Sequence, residues 1–130
     1  MSDLIQSLAI SSSGMQAQGQ RLRHLSENVA NADTPGYRRK TISFEPEQRF
    51  GRDTGRVEAG PVQLSQRDLT QIFAPDHPLA DASGYYAGSN VDLIVEIADS
   101  REAQRSYEAN LRMFDQARQM SASLLDLLKR

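Results

Sequence analysis

The stretch that decides the fold is residues 28–40, NVANADTPGYRRK. It follows an amphipathic segment and ends it, because a residue that precedes proline disfavours helical backbone. Thr-Pro-Gly-Tyr predicts a type II turn, in which Gly36 supplies the positive φ that the third position needs. We therefore expect an N-terminal helix within residues 1–33 and a fixed-angle joint over residues 34–43.

Upstream of the joint, apolar or small residues alternate at intervals of four and three, which is the seam of a coiled coil. Two of its positions, Ser11 and Gln18, are polar and weaken the seam. The N-terminal segment is thus predicted to be one long coiled-coil helix. Its seam consists of Leu4, Leu8, Ser11, Met15, Gln18, Leu22, Leu25 and Val29.

Three cations, Arg38, Arg39 and Lys40, follow the turn. The sequence leaves three interpretations open: a solvated basic turn, a contact with acidic residues of an adjacent chain, or binding to nucleic acid. The net charge of −2 argues against the third, because proteins that bind phosphates usually carry a basic face. We therefore expect no nucleic-acid partner.

Residues 44–89 contain four of the five prolines and five of the eight glycines. Short apolar alternations around 41–44, 57–64 and 69–73 predict short strands separated by turns, and residues 75–84 are predicted to be irregular loop. This region is expected to be a small β-rich and loop insert.

Residues 90–130 return to a helical pattern, with Asn90 or Asp92 as the candidate N-cap. The stretch Asp99–Gln104 interrupts the apolar face. That face is formed by Leu93, Ile94, Ile97, Tyr107, Leu111, Phe114, Ala117, Ser121, Leu124, Leu125 and Leu128.

The predicted fold is mainly α. Two long terminal helices form an antiparallel coiled-coil hairpin that buries both apolar stripes, and the β-rich insert lies at its tip. Each stripe is wider than a contact between two helices requires. We therefore expect further burial against other chains, in an oligomer or a filament.

The remaining features of the sequence predict neither catalysis nor a bound cofactor. His24 and His77 are far apart and lack neighbours at metal-ligand spacing, so no metal site is expected. No acid pair accompanies a nucleophile and a base, and no glycine-rich phosphate loop is present. The chain has 130 residues and no cysteine. The N-terminal residues lack the pattern of a cleaved signal peptide or a membrane span.

Three motifs carry a resemblance to a known family. NVANADTPGY at 28–37 resembles the N-terminal signature of bacterial flagellar rod and hook proteins, and RSYEAN at 105–110 resembles their C-terminal helix pattern. DHPLADASGY, with NVD following within 76–92, resembles a segment of the FlgC family of proximal-rod proteins. This segment and the length of the chain favour that family over the neighbouring proximal-rod proteins.

The resemblance implies a structural subunit of the flagellar proximal rod, which polymerises into the axial shaft that transmits torque from the rotor to the hook across the periplasm. It implies export by the flagellar type III system without a cleaved signal peptide, and helix ends that are poorly ordered before assembly. The implied partners are copies of the chain and rod proteins of the FlgB, FlgF, FlgG and FliE types. The MS ring and the export apparatus would lie nearby, with no direct membrane insertion.

The residues predicted to form the subunit interface belong to the two seams and the joint. They are Leu4, Leu8, Met15, Leu22, Leu25, Val29, Asn31, Pro35, Gly36, Tyr37, Arg105, Tyr107, Asn110, Leu111, Phe114 and Leu125. The alternative class is a helical binding module, such as an export chaperone or a coiled-coil adaptor. Such a module would share the amphipathic helices but would not require the two terminal motifs.

Overall fold

The computed structural model describes residues 2–130. Along the chain, two long helices flank six short strands, which agrees in outline with the sequence prediction. The elements are α1 Ser2–Ala30, β1 Lys40–Thr41, β2 Phe44–Arg49, β3 Arg52–Ala59, β4 Gln63–Leu64, β5 Gln71–Phe73, β6 Tyr85–Ala87 and α2 Leu93–Leu128. Over residues 2–130 the strands form three separate antiparallel pairs: β1 with β4, β2 with β3, and β5 with β6.

The predicted turn after α1 is confirmed. The Tyr37 amide donates to the Thr34 carbonyl at 3.2 Å, and Gly36 has a φ of 74°. At the other end of the insert, the Asp92 side chain accepts from the Ile94 amide at 3.0 Å and caps α2. Asp92 is therefore the N-cap of α2, and Asn90 is free to bond elsewhere.

The two helices pack against each other and run antiparallel. Asn28, near the end of α1, donates to Glu96, near the start of α2, at 3.2 Å. Further along, a Cβ added to Gly14 would lie 2.8 Å from the side chain of Asn110. Residues that are buried or that contact the other helix recur every seven positions: Gly14, Arg21 and Asn28 on α1, and Glu96, Ala103, Asn110 and Ala117 on α2. Supercoiling of this pair stays a prediction.

The prediction that the hairpin buries both apolar stripes is wrong for α2, most of whose stripe is exposed, whereas every position of the α1 seam except Val29 is buried or half-buried. The buried residues of α2 are Glu96, Ala103 and Ala117, and those of α1 are mostly small or polar: Ser11, Ser13, Gly14, Ala17, His24, Leu25 and Asn28. Helices that meet through small side chains approach closely, so larger residues on the flanks stay outside the contact. Ile94 is accordingly 79% exposed and Leu111 41% exposed.

The sequence predicted that the insert lies at the tip of the helical hairpin. In the structure the insert also extends along α1. The β2–β3 hairpin folds back along α1, where the Val57 amide donates to the Ser13 hydroxyl at 3.1 Å. Strand β2 was not predicted, because it contains Pro46, which lacks an amide for a strand ladder. The strand tolerates the proline because the pairing register shifts between Pro46 and Gln48.

Two glycines of α1 provide a matched test of this packing. A Cβ at Gly19 would meet nothing within 4 Å, whereas one at Gly14 would meet the Asn110 side chain at 2.8 Å. Gly19→Ala is therefore expected to raise the free energy of unfolding by about 1 kcal/mol, the difference in helix propensity. Gly14→Ala should lose most of that gain or destabilise the chain. Urea unfolding measures both, and equal gains would contradict the helix contact described here.

Candidate assembly surface and its supporting joint

The side chain of Asn28 is the centre of a buried polar joint between the helices and the turn. Its exposed fraction is 0%, and all its hydrogen-bonding capacity is used. The Asn28 amide donates to the Lys40 carbonyl at 2.9 Å and to Glu96 at 3.2 Å. Its oxygen accepts from the Tyr37 hydroxyl and from the Lys40 amide, both at 2.9 Å. One residue thereby links α1, the turn, β1 and α2.

Arg39 supplies the counter-charge for the fully buried carboxylate of Glu96. Its Nε donates to Glu96, and its Nη2 donates to Asp99 at 2.6 Å. Arg21 on α1 approaches Asp99 at 3.8 Å. Although burial lowers the pKa of Arg39, the hydrogen bonds and charges of Glu96 and Asp99 outweigh it and raise that pKa above its usual value. These contacts fix the angle at which the turn meets both helices.

The other two cations also bind within the chain. Arg38 donates to the carbonyls of Ser65 and Arg67 at 3.0 and 3.1 Å, and Lys40 pairs with Glu27 at 3.1 Å. The expectation of a solvated basic turn is therefore wrong, and a contact of these cations with an adjacent chain stays a prediction. The acceptors of these cations lie far away along the chain, so the local sequence does not reveal them.

The stretch Asp99–Gln104 interrupts the apolar face, but it does not interrupt the contact between the helices. Asp99 binds Arg39, and Ala103 is fully buried, so this stretch is part of the contact. Sequence reasoning missed Glu96 and considered Asn90 only as an N-cap, whereas the Asn90 side chain accepts from the Arg39 amide at 2.7 Å. A usable signal was present at Glu96, because a single acid inside the apolar run Leu93–Ala98 implies a buried carboxylate with a cationic partner.

The pairing of Glu27 predicts a defined acid sensitivity. Hydrogen bonds from Lys40 and then from His24 lower the pKa of Glu27 below its ordinary value of 4.5. Because the folded-state pKa is depressed, the contribution to stability is present above about pH 4.5 and is lost as the pH falls through the folded-state pKa. The stability advantage over Glu27→Gln should therefore shrink between about pH 5 and pH 3 in urea unfolding. An advantage that grows over this interval would contradict the assignment.

Outside the joint, α2 presents a strip of large apolar side chains that the described chain leaves partly exposed. We name it the outer strip. It consists of Leu93, Ile97, Tyr107, Leu111 and Leu125, which are 37–51% exposed. These positions follow one flank of the helix beside the buried positions that face α1. The helical hairpin is thus closed while these side chains remain partly exposed.

The predicted interface residues fall into distinct environments. Val29, Pro35, Gly36, Arg105, Tyr107, Leu111 and Leu125 are exposed, and Leu4, Leu8, Met15, Leu22, Asn31, Tyr37 and Phe114 are half-buried. Leu25 is buried within the chain, and the half-buried Asn110 packs on Gly14. Burial raises the pKa of Tyr37, whose hydroxyl bonds to Asn28. An interface role for these residues stays a prediction.

Two further properties of residues 2–130 concern metal binding and membrane spanning. No cluster of three or more His, Cys, Asp or Glu side chains arranged to hold a metal ion occurs among these residues. Neither α1 nor α2 combines the length and apolar content that a bilayer-spanning helix requires.

Comparison with known proteins gives concordant matches at both ends of the chain. Residues 8–38 match a family model described as flagella basal body rod protein. Residues 82–127 match one described as flagellar basal body rod FlgEFG protein C-terminal. The first match covers most of α1 and the turn, and the second covers nearly all of α2.

Curated relatives match over almost the whole chain. The flagellar basal-body rod protein FlgC of Agrobacterium fabrum is 42% identical over 127 residues, which cover 92% of this chain and 91% of the relative. The protein of the same name from Salmonella typhimurium is 35% identical, with 91% and 92% covered. That from Aquifex aeolicus is 31% identical, with 88% and 89% covered.

Proposed function

The chain belongs to the FlgC family of flagellar basal-body rod proteins, and we propose that it forms part of the proximal rod, the shaft that passes torque from the rotor to the hook. As a member of that family it is a structural subunit of the rod. The observation that supports the proposal is the outer strip, which remains exposed although the hairpin is closed. A shaft needs such surfaces, because its stiffness comes from helices that pack lengthwise against neighbours.

The energetics of the outer strip favour assembly. Fully burying one exposed large apolar side chain contributes roughly 1.5–3 kcal/mol, and these five are already about half covered, so completing their burial would contribute on the order of 5 kcal/mol. Association costs roughly 4–15 kcal/mol in lost translation and rotation. The strip therefore offsets much of that cost only when it is buried over most of its length, as in a tightly packed shaft.

The proposal also includes the partners and the location of the chain. The partners are copies of this chain and rod proteins of the FlgB, FlgF, FlgG and FliE types, with the MS ring and the export apparatus nearby. The location is the periplasmic rod, reached by type III export without a cleaved signal peptide. Neither catalysis, nucleic-acid binding nor insertion into the membrane is part of this role. The relatives that support it are named as rod proteins.

A substitution in the outer strip tests the function. In a strain that lacks the native copy, Leu111→Asp is expected to fold normally, because Leu111 is exposed in the single chain. It should reduce complete basal bodies and motility roughly tenfold or more, since a buried charge in a repeated contact is costly. Swimming in soft agar and electron microscopy of purified basal bodies measure the effect.

The matched control is Gln119→Asp, which adds the same charge to the same helix at an exposed position away from the outer strip. It should leave motility intact. Normal motility with Leu111→Asp would contradict the proposal. So would a purified chain that forms a defined small oligomer and never enters basal bodies, as an export chaperone or adaptor would.

A further inference from the structure

The β5–β6 pair is a two-stranded ribbon whose strands contact chiefly each other. Successive side chains of a strand point to opposite faces, so the ribbon has two faces. On one face the side chain of Ile72 lies against Gly88, where an added Cβ would come within 2.7 Å of it. On the same face Tyr86 stacks on His77 with ring centroids 3.9 Å apart. The chain itself therefore supplies contacts for this face.

The other face of the ribbon carries an aromatic pair that the chain leaves exposed. Phe73 and Tyr85 lie directly opposite each other on the two strands, with ring centroids 5.1 Å apart. Phe73 is 62% exposed, Tyr85 is 42% exposed, and Leu79 in the connecting loop is 62% exposed. Clustered apolar side chains on a surface, unlike single ones, mark an interaction site. This face is therefore a candidate docking surface.

The aromatic pair is held in position by close packing against the backbone. Gly84 has a φ of 87°, and a Cβ there would lie 2.9 Å from the Phe73 ring and 3.2 Å from Pro75. Only glycine combines this φ with room for the ring. The Ala74 amide also donates to the Gly84 carbonyl at 2.9 Å. A surface that is ordered before binding loses little conformational entropy when a partner covers it.

Two carboxylates accompany the aromatic pair. Asp81 accepts from the Ser83 hydroxyl at 2.6 Å and from the Tyr85 amide at 3.0 Å, and these bonds, that of the Ser83 hydroxyl first, lower the pKa of Asp81. Within residues 2–130, neither Asp76 nor Asp81 forms a salt bridge, and residues 68–100 contain no lysine or arginine. The surface is thus both apolar and negative. We name it the ribbon patch: Phe73, Asp76, Leu79, Asp81 and Tyr85.

We propose that the ribbon patch is the docking site for a basic surface of another rod protein, one that presents lysine or arginine side chains around an apolar groove. The aromatic rings pack in the groove, and the two carboxylates pair with the cations. The net charge of −2 favours such a partner over a second copy of the chain, because a copy carries the same net charge. The proposal rests on the proposed rod function and specifies the chemistry of one partner. Because charge complementarity suppresses wrong partners, this contact selects which rod protein lies beside the chain.

Photo-cross-linking in purified basal bodies tests the contact directly. In a strain that lacks the native copy, Phe73 is replaced with p-benzoylphenylalanine, a photoreactive residue that keeps an aromatic ring at this position. Mass spectrometry should identify an adduct with a different rod protein, at a peptide that contains lysine or arginine. The same replacement at the half-buried Tyr86, on the other face of the ribbon, is the control and should give at least tenfold less of this adduct.

The outcomes of cross-linking separate this contact from the rod function. Adducts only between copies, adducts at a surface without cations, or no adduct in assembled basal bodies would overturn the docking and leave the rod function intact. Absence of the native chain from basal bodies would overturn both.

A pair of alanine variants separates docking from folding. Phe73→Ala should reduce assembled rods roughly tenfold, the loss typical of a truncated aromatic anchor. Ile72→Ala, one residue earlier on the other face, should lower the melting temperature at least as much, because Ile72 is only 37% exposed. It should nevertheless assemble at close to native levels. Equal losses of assembly in the two variants would overturn the proposal.

Charge reversal tests the chemistry of the partner. Asp76→Arg should reduce assembled rods roughly tenfold, because like charges would then meet across the contact. It should leave the melting temperature unchanged, because Asp76 is exposed. Asp68→Arg, which changes an exposed acid outside the ribbon patch, is the control and should assemble normally. Second mutations that restore motility to Asp76→Arg should replace a lysine or arginine of another rod protein. Restoring mutations confined to this chain would overturn the proposal.

Discussion

Replacing Arg39 with methionine is expected to lower the free energy of unfolding by about 3–5 kcal/mol, the range for removing one partner of a buried ion pair. Glu96 is fully buried, and Arg39 is the cation that contacts its carboxylate. Without Arg39 the carboxylate must either stay charged in a poorly solvated site or take up a proton. Urea unfolding followed by circular dichroism measures the loss.

Two further variants make this expectation specific. Arg39→Met combined with Glu96→Gln should recover more than half of the loss, because a neutral amide retains an acceptor for Asn28 and needs no cation. Arg38→Met, which removes only bonds to backbone carbonyls of Ser65 and Arg67, should cost about 1 kcal/mol. Similar losses for Arg38→Met and Arg39→Met would show that the buried pair is not what fixes the joint.

Asn28→Asp is expected to be comparably damaging, with almost no change in shape. It places a second carboxylate within about 3 Å of Glu96 and turns the donor facing the Lys40 carbonyl into an acceptor. Loss of the buried hydrogen bonds and like-charge repulsion should together cost about 3–5 kcal/mol at neutral pH.

The pH dependence of this variant identifies the cause. Repulsion raises the folded-state pKa of the pair of carboxylates in the variant above the unfolded value. The penalty should therefore be largest at neutral pH and should fall as the pH drops through that raised value, where one carboxylate takes up a proton. Unfolding of the native chain and of Asn28→Asp at about pH 7 and pH 5 measures the difference. A penalty independent of pH would mean that lost hydrogen bonds, and not charge, are responsible.

Local chemistry was readable from the sequence. Pro35 and Gly36 predicted the turn and therefore the end of α1, and the long spacing patterns predicted both helices. The side-chain partners of the joint were not readable, because Arg39 and Glu96 are 57 residues apart. The residues next to a cation in the sequence do not show whether its side chain pairs with a distant buried acid or is solvated.

The faces through which the two helices contact each other could not be predicted from the sequence either. Periodicity identifies which side of a helix is apolar, but it does not say what covers that side. In this chain small residues such as Gly14, Ala103 and Ala117 form the close contact, and the large residues of the outer strip remain outside. In a protein that assembles, an apolar stripe can thus contact a partner subunit and not the core of its own chain.

The central claim is that the polar joint sets the shape of each subunit while the outer strip holds subunits together. An electron-microscopy map of isolated basal bodies, with this chain fitted into the shaft, tests it most directly. We expect Leu111 and Leu125 to lie against helices of neighbouring subunits, with the bonds of Asn28 and Arg39 retained inside each subunit. A map in which the outer strip faces water, or in which the joint opens to bond a neighbour, would contradict the account.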